Sequence, residues 1–473
     1  MKSAIQKVIT SVLLLFIGLS ITQPLVRAFY HLVNPDVAYH YLMGKYITMG
    51  QKPYIDFIDM NFPTIWYLST IPSYISSFWG GDVWVIVLFF LFITIGCCYL
   101  LNKVLSFITE ITPFQKTLFV SFCLFSLTAF QLNEFGQREH LFVVGYLPLL
   151  LLKAYENDIY KPLGKTFVFI IGFIGSYISW MKPHYVILFS LVEFFFIFKN
   201  RRLPKGLLLA GQITGICIGA LPFLFYLQEY LTVAHLAAST YTSQTIDPNE
   251  VAFTSILMQR GSWFVYLAVI LFIAVIKQHK LHFLNSALLF TVILTWLVAI
   301  AQNKAYPYHI KPASTFAIIS IIISLFRLFE SYTWFTAKRQ YIMSLTIITL
   351  LCVRTLIVSL PPKDIESTAP ATAMTLRTVA LLNKDNHAQT VYKLASSAQP
   401  LYPGIIVSKC TDITGINSFW YLGSFYRNLN KTEQNNNKFP YHKPEMMSQV
   451  EKKMFRKTID DLLTKLPDIL IID

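Results

Sequence analysis

The sequence predicts a mostly α, polytopic membrane helix bundle with a small C-terminal extracytoplasmic α/β domain. Two observations carry this reading. Of 473 residues, 55% are hydrophobic and only 14% charged, with a mean hydropathy of +0.52, far more apolar than a soluble chain. The apolar residues fall into blocks long enough to cross a bilayer, which needs roughly 20 apolar residues per helix, and the chain turns polar only after about residue 360. An ordinary soluble enzyme is thereby excluded.

Eleven blocks qualify in chain order: 8–27, 83–101, 114–131, 139–153, 166–181, 184–198, 206–227, 261–276, 282–301, 312–329 and 341–359. The fourth to sixth are short, so tilt or a kink at Pro148 bears on the count. Alternate connections differ in charge. One side carries sixteen Lys and Arg, from Lys2 and Lys7 through Arg201 and Arg202 to Lys338 and Arg339; the other carries eight in longer loops, Arg354 aside. The positive-inside rule places the N-terminus in the cytoplasm and, after eleven crossings, the C-terminus outside a cell (inner or plasma) membrane. The net charge of +14 therefore reads as topology, with membrane lipids and not nucleic acid as the partner. Five of the six cysteines lie in apolar blocks and only Cys410 in a polar stretch, so neither a disulfide framework nor a zinc site is expected.

This division gives a transmembrane region over 1–360, with a large first outer loop at 28–82, and an α/β domain over 361–473. In the loop, DVAYHYLMGKYITMG sets Tyr39, Met43, Tyr46 and Ile47 on one helical face, the pattern of a helix lying in the membrane interface. In the tail, Thr372–Leu382 and Met447–Leu466 read as helices, and QTVYKLA, GIIVS and PDILIID as strands. No Gly-rich phosphate loop is present in the tail. Gly211, Gly215 and Gly219 form a small-residue ridge on the seventh block, suited to close helix packing within the chain or against a second copy. Glu193 lies in mid-block, as a relay group or as half of a pair inside the bundle. Asn430 and Thr432 make a glycosylation sequon.

Four polar constellations interrupt or border the blocks, all on the side assigned as outer. They are NPDVAYH with PYIDFIDMNFP (Asp36, Tyr54, Asp56, Asp59), NEFGQREH (Glu134, Arg138, Glu139, His140), WMKPHY (Lys182, His184) and QNKAYPYHIKP (Lys304, Tyr306, Tyr308, His309, Lys311). Ionisable groups at a bilayer are costly and usually functional, although solvated loops, helix caps, snorkelling lysines and aromatic belts account for each taken singly. Carboxylates set against three cationic patches suit a site that holds a lipid-borne phosphate and removes a proton from a hydroxyl.

In this order the motifs resemble those of the GT-C membrane glycosyltransferases, in the branch of the protein O-mannosyltransferases and the lipid A aminoarabinose transferase. The matching pieces are D-x-x-Y with G-x-x-P-Y-x-D-F (Asp36, Tyr39, Gly50, Pro53, Tyr54, Asp56, Phe57), G-Q-R-E-H (Gly136 to His140), K-P-H (Lys182 to His184) and K-x-x-x-Y-H (Lys304 to His309). The resemblance covers about residues 8–330. It implies transfer of a sugar from a polyprenyl-phosphate-linked donor to a glycan, lipid or protein acceptor on the outer side. It further implies Asp36 as catalytic carboxylate and Glu139, with Glu134 as the alternative, as the second acidic position. Some relatives begin with two adjacent acids, whereas Val37 follows Asp36 here, which weakens the case for a bridged divalent cation.

Independently of the resemblance, an outward site has no supply of nucleotide sugars, and a phosphate leaving group needs charge stabilisation and no proton. Arg138, Lys182, His184, Lys304 and His309, with Tyr308, are expected to share that charge. Asp36 is expected to deprotonate the acceptor hydroxyl with inversion. Asp56 and Asp59, beside Tyr54, either orient Asp36, hold sugar hydroxyls or bind a divalent cation. The rival readings are a polytopic transporter or lipid flippase and a non-catalytic membrane scaffold.

Overall fold

Ten of the eleven apolar blocks are helices. In the computed structural model the described residues are 2–30, 33–108, 112–155, 164–204, 206–234, 256–277, 283–302, 306–331, 346–347, 349–351, 353, 377–383, 390–394, 401–402, 404–408, 410–416, 445, 447 and 449–472. The helices are α1 (Lys2–Phe29), α2 (Pro35–Thr48), α3 (Thr64–Trp79), α4 (Asp82–Ser106), α5 (Pro113–Leu127), α6 (Arg138–Ala154), α7 (Lys165–Tyr177), α8 (Pro183–Asn200), α9 (Gly206–Phe225), α10 (Arg260–Lys277), α11 (Phe283–Ala301), α12 (Lys311–Ser331) and α13 (Gln449–Lys465). By length and composition five are able to cross a membrane: α1, α4, α9, α11, and α12 with the turn before it. The chain is a mostly α-helical membrane protein. The eleventh block lies largely outside the described residues, as does the sequon Asn430.

The chain divides into two units. The first holds residues 1–30, 87–221 and 248–361; the second holds 31–86, 222–247 and 362–473, so the boundary falls within α4 and within α9.

In the first unit, α1 packs on α5 through Phe16, which stacks on Phe125 with ring centroids 5.1 Å apart and meets Phe122 edge-on at 5.6 Å. The glycine ridge of α9 lies against α7. A β-carbon at Gly211 would sit 2.3 Å from the Phe169 carbonyl oxygen, and one at Gly215 would sit 2.3 Å from that of Phe173. From the other helix, one at Gly172 would approach the Leu208 carbonyl to 2.6 Å. The ridge therefore serves contact within the chain, since only hydrogen fits where two backbones approach so closely. Glu193 on α8 forms a partly buried ion pair with Lys153 at the end of α6, and Lys153 also lies over the Phe196 ring at 5.4 Å.

In the second unit, α2 starts at an N-cap, Asn34, whose side chain accepts the Asp36 N–H at 2.8 Å, with Pro35 at the first helical position. Contrary to the interfacial reading of its sequence, α2 is buried: Tyr39, Met43 and Tyr46 are all inside. Its close neighbour is α3. A β-carbon at Gly44 would lie 2.5 Å from the Ser69 carbonyl carbon, Ser73 Oγ donates to the Tyr41 carbonyl at 3.0 Å, and Tyr41 and Ser76 share a hydroxyl hydrogen bond. The exposed aromatic face belongs instead to α3, through Ile71, Tyr74, Phe78 and Trp79. Spacing showed that α2 had an apolar face and could not show what covers it.

The tail contributes a three-stranded parallel sheet, β1 (Thr390–Leu394), β2 (Thr411–Asp412) and β3 (Ile469–Ile472), in the order β2-β1-β3. The strand expected at GIIVS is a helical turn, Gly404–Val407. The strand role passes to Thr411–Asp412, two residues too short to register as a period. The Ile58 N–H donates to the Gly415 carbonyl at 3.0 Å, and the Tyr46 hydroxyl donates to the Asp412 carbonyl at 2.8 Å, so the first loop and the tail pack as one body.

Candidate functional site

The residues of G-Q-R-E-H, K-P-H and the late Y-H come together in the first unit. Glu139 and Lys182 form an ion pair at 1% and 8% side-chain exposure. Lys182 Nζ also sits 5.4 Å from the centroid of the Tyr308 ring, and that ring meets His309 edge-on at 4.4 Å. His184 lies within electrostatic reach of Lys182, Glu139, His309 and Arg138. Arg138, Lys182 and His309 are each at least nine-tenths buried. Glu139 Oε2 and His184 Nε2 are buried with no hydrogen-bond partner among the described residues, the condition expected where a bound group completes the set.

Local sequence explains the convergence. Arg138 and Glu139 open α6, Pro183 opens α8 directly after Lys182, and Pro307 opens a 3₁₀ turn (Pro307–Ile310) leading into α12. Proline at a first helical position loses no hydrogen bond. Helix N-termini carry partial positive charge. Three such starts therefore meet around two formal cations, a carboxylate and two imidazoles. Tyr185 stacks on Phe142 at 4.3 Å between centroids, fixing α8 against α6 one turn below. His140 serves the backbone: its ring nitrogens meet the Gly136 N–H at 3.0 Å and the Leu127 carbonyl at 2.7 Å.

The same 3₁₀ turn borders a large apolar groove, of about 970 Å³, in the first unit. Pro307 and Ile310 line it, with Phe122, Phe125, Trp263, Ile318 and other apolar side chains along its length. Gln259, Arg260, Lys311 and Ser314 are the polar exceptions among the described residues. Lys311 donates to the Phe130 carbonyl at 3.1 Å and lies over that ring at 4.5 Å. Sequence reading missed the groove, because α5, α10 and α12 are far apart in the chain and no short-range period records which of their faces adjoin.

The carboxylates of the first loop belong to the second unit. Asp36 is half-buried in the first turn of α2. Asp56 Oδ2 accepts the Lys52 N–H at 2.6 Å, and the buried Asp59 accepts the Asn61 N–H at 2.7 Å, each closing its own turn. Tyr54 adopts φ +63°, is buried, and donates to the Asn61 carbonyl at 2.5 Å with Trp66 and Tyr230 against its ring. Burial pushes its phenol well above the ordinary value, with Asp59 adding to the shift. Asp59 and Tyr54 thus shape the loop. Lys304 lies outside the described residues. No group of three or more His, Cys, Asp or Glu able to hold a metal occurs among the described residues.

No protein-family model matches the chain, no curated protein matches it, and no solved structure matches it.

Proposed function

We propose that the protein is an integral-membrane glycosyltransferase of GT-C type that takes a sugar from a polyprenyl-phosphate carrier. One observation carries this reading: a buried basic cluster built on three helix starts shares its 3₁₀ turn with an apolar groove. A long isoprenoid matches the groove, and a phosphate matches the cluster, where cations, helix N-termini and the unsatisfied His184 Nε2 coincide. Arg138, Lys182, His184 and His309 take up the negative charge as the glycosidic C–O bond breaks toward the phosphate. Glu139 holds Lys182 in place, and Tyr308 backs it through its ring. Lys304 adds to this charge in the sequence-based assignment. Asp36 is assigned to accept the proton of the attacking acceptor hydroxyl, which inverts the configuration at the sugar carbon.

The chain under this reading crosses a cell membrane eleven times, with its N-terminus in the cytoplasm and residues 361–473 outside, where lipid-linked sugars are the available donors. The acceptor is a glycan, lipid or protein.

Native mass spectrometry of the gently purified protein tests the donor class. A co-bound polyprenyl phosphate, with or without a sugar, is expected. Ordinary phospholipid alone, even after polyprenyl phosphate is added, would overturn it.

A further inference from the structure

Within the second unit a cavity of mixed polar and apolar lining, of about 230 Å³, opens between α2, the turn after it, the start of α4 and the segment around β2. It is smaller than the ~300–1,000 Å³ typical of pockets for drug-sized ligands, so its occupant is the size of one ring. Its charged walls are Lys45, Asp56, Asp82, Asp412 and Lys465, with Gln51 and Thr411 as neutral polar neighbours. The lysines are already matched. Lys45 lies 3.8 Å from Asp82, and Lys465 lies 2.9 Å from Asp461 while donating to the Ile413 carbonyl at 3.1 Å.

Asp412 is matched as well, accepting from the Tyr402 hydroxyl at 2.5 Å and the Thr414 N–H at 2.8 Å. Among the described residues the cavity therefore offers donors and acceptors without a surplus of positive charge, and a phosphate would face three carboxylates. Met49 at 62% exposure, with Leu42, Ile405 and Ile406, supplies apolar surface beside them. Hydroxyls flanked by C–H faces are what such a wall recognises. The loop of Asp56 is tied to the β2 segment by the hydrogen bond from the Ile58 N–H to the Gly415 carbonyl.

We propose that this cavity binds one uncharged, hydroxyl-rich pyranose ring, with Asp56 and Asp82 accepting from its hydroxyls and the lysines donating to them. That the ring belongs to the acceptor rests on the glycosyltransferase reading above; the site itself does not.

The test is saturation-transfer NMR on the full-length protein in a sugar-free detergent, with the methyl α-pyranosides of glucose, mannose and galactose as probes. Transfer to at least one is expected at millimolar concentration, unaffected by inorganic phosphate. Asp82→Asn is expected to weaken binding roughly tenfold or more, the loss of one charge-assisted hydrogen bond. Met49→Trp, at an exposed position on the rim, is expected to abolish it without touching the fold. No transfer to any probe, displacement by phosphate, or undiminished transfer in Met49→Trp would each overturn the site. Asp36→Asn keeps the signal, so probe binding in a protein that holds no polyprenyl phosphate sinks the donor reading alone.

Discussion

Lys182, the residue that caps α8, pairs with Glu139 in the first turn of α6, and the pair is almost wholly withdrawn from solvent. Removing one partner of such a pair strands the other charge, at a cost of about 3 to 5 kcal/mol, whereas replacing both is far milder. Glu139→Gln and Lys182→Met are each expected to lower the melting temperature strongly, and the double variant to recover most of the loss. A double variant as unstable as the two single losses combined would show that the pair is not coupled.

Asp36→Asn is expected to lower turnover by roughly 10²- to 10⁴-fold, the usual contribution of a general base. The variant should remain folded and keep its co-purifying lipid, because Asn still fits the first turn of α2. Single-turnover assays with a polyprenyl-phosphate sugar check this, and full activity would end the assignment.

The groove offers an independent handle on the donor. Ile318→Trp places an indole in the apolar channel, so the mutant protein should carry less polyprenyl phosphate in native mass spectra while ordinary phospholipid is unchanged. Equal polyprenyl occupancy in mutant and wild type would mean the chain of the donor runs elsewhere.

Gly215→Ala forces a methyl group to within 2.3 Å of the Phe173 carbonyl oxygen, which belongs to a helix backbone and has little room to yield. A loss of about 1 to 3 kcal/mol follows from overpacking. Gly96→Ala on α4, where an added β-carbon meets nothing within 4 Å, is the matched control. It should be neutral or slightly stabilising, since alanine is the better helix former. Equal melting temperatures for the two variants would contradict the α7–α9 contact.

Tyr46 and Tyr402 make stability depend on alkaline pH. Burial raises both phenols well above their ordinary value, and Asp412 raises them further. The folded state therefore favours the neutral form. Its contribution is complete below the ordinary phenol value of about 10 and is lost progressively as pH rises beyond it. Absorbance titration of wild type against Tyr402→Phe should show that this phenol stays un-ionised until the protein unfolds. Reversible ionisation near pH 10 in intact protein would refute the buried arrangement.

Much of this architecture was legible in the residues. Block length and hydropathy located α1 and α4 to α12 to within about six positions, because a long apolar run records its own length in the chain. Glu139, Lys182, His184 and His309, each marked in the sequence as a charge or imidazole interrupting an apolar run, lie near one another in the first unit. What faces what was not legible. Tyr39, Met43 and Tyr46 show the same spacing whether lipid or protein covers them, and only the Tyr402 ring against Tyr39 and the Asp412 carbonyl on the Tyr46 hydroxyl decide it. Asp59 and Asp56 each accept a backbone N–H two or four residues away, a local use no composition reveals. The two-residue β2 is defined by its partner β1 alone.

The hydrogen bond from Tyr46 to Asp412 spans 366 residues of chain. At ~5–20 residues per second, the ribosome needs roughly 20 to 70 s to deliver the acceptor after the donor has emerged. Throughout that interval α2 has its aromatic face made and its cover not yet synthesised. The second unit must therefore be held unfinished, by the lipid surface or by a chaperone, until the last part of the protein arrives. A ribosome that stops early leaves behind a product with a sticky, half-built face, easily recognised by membrane quality control.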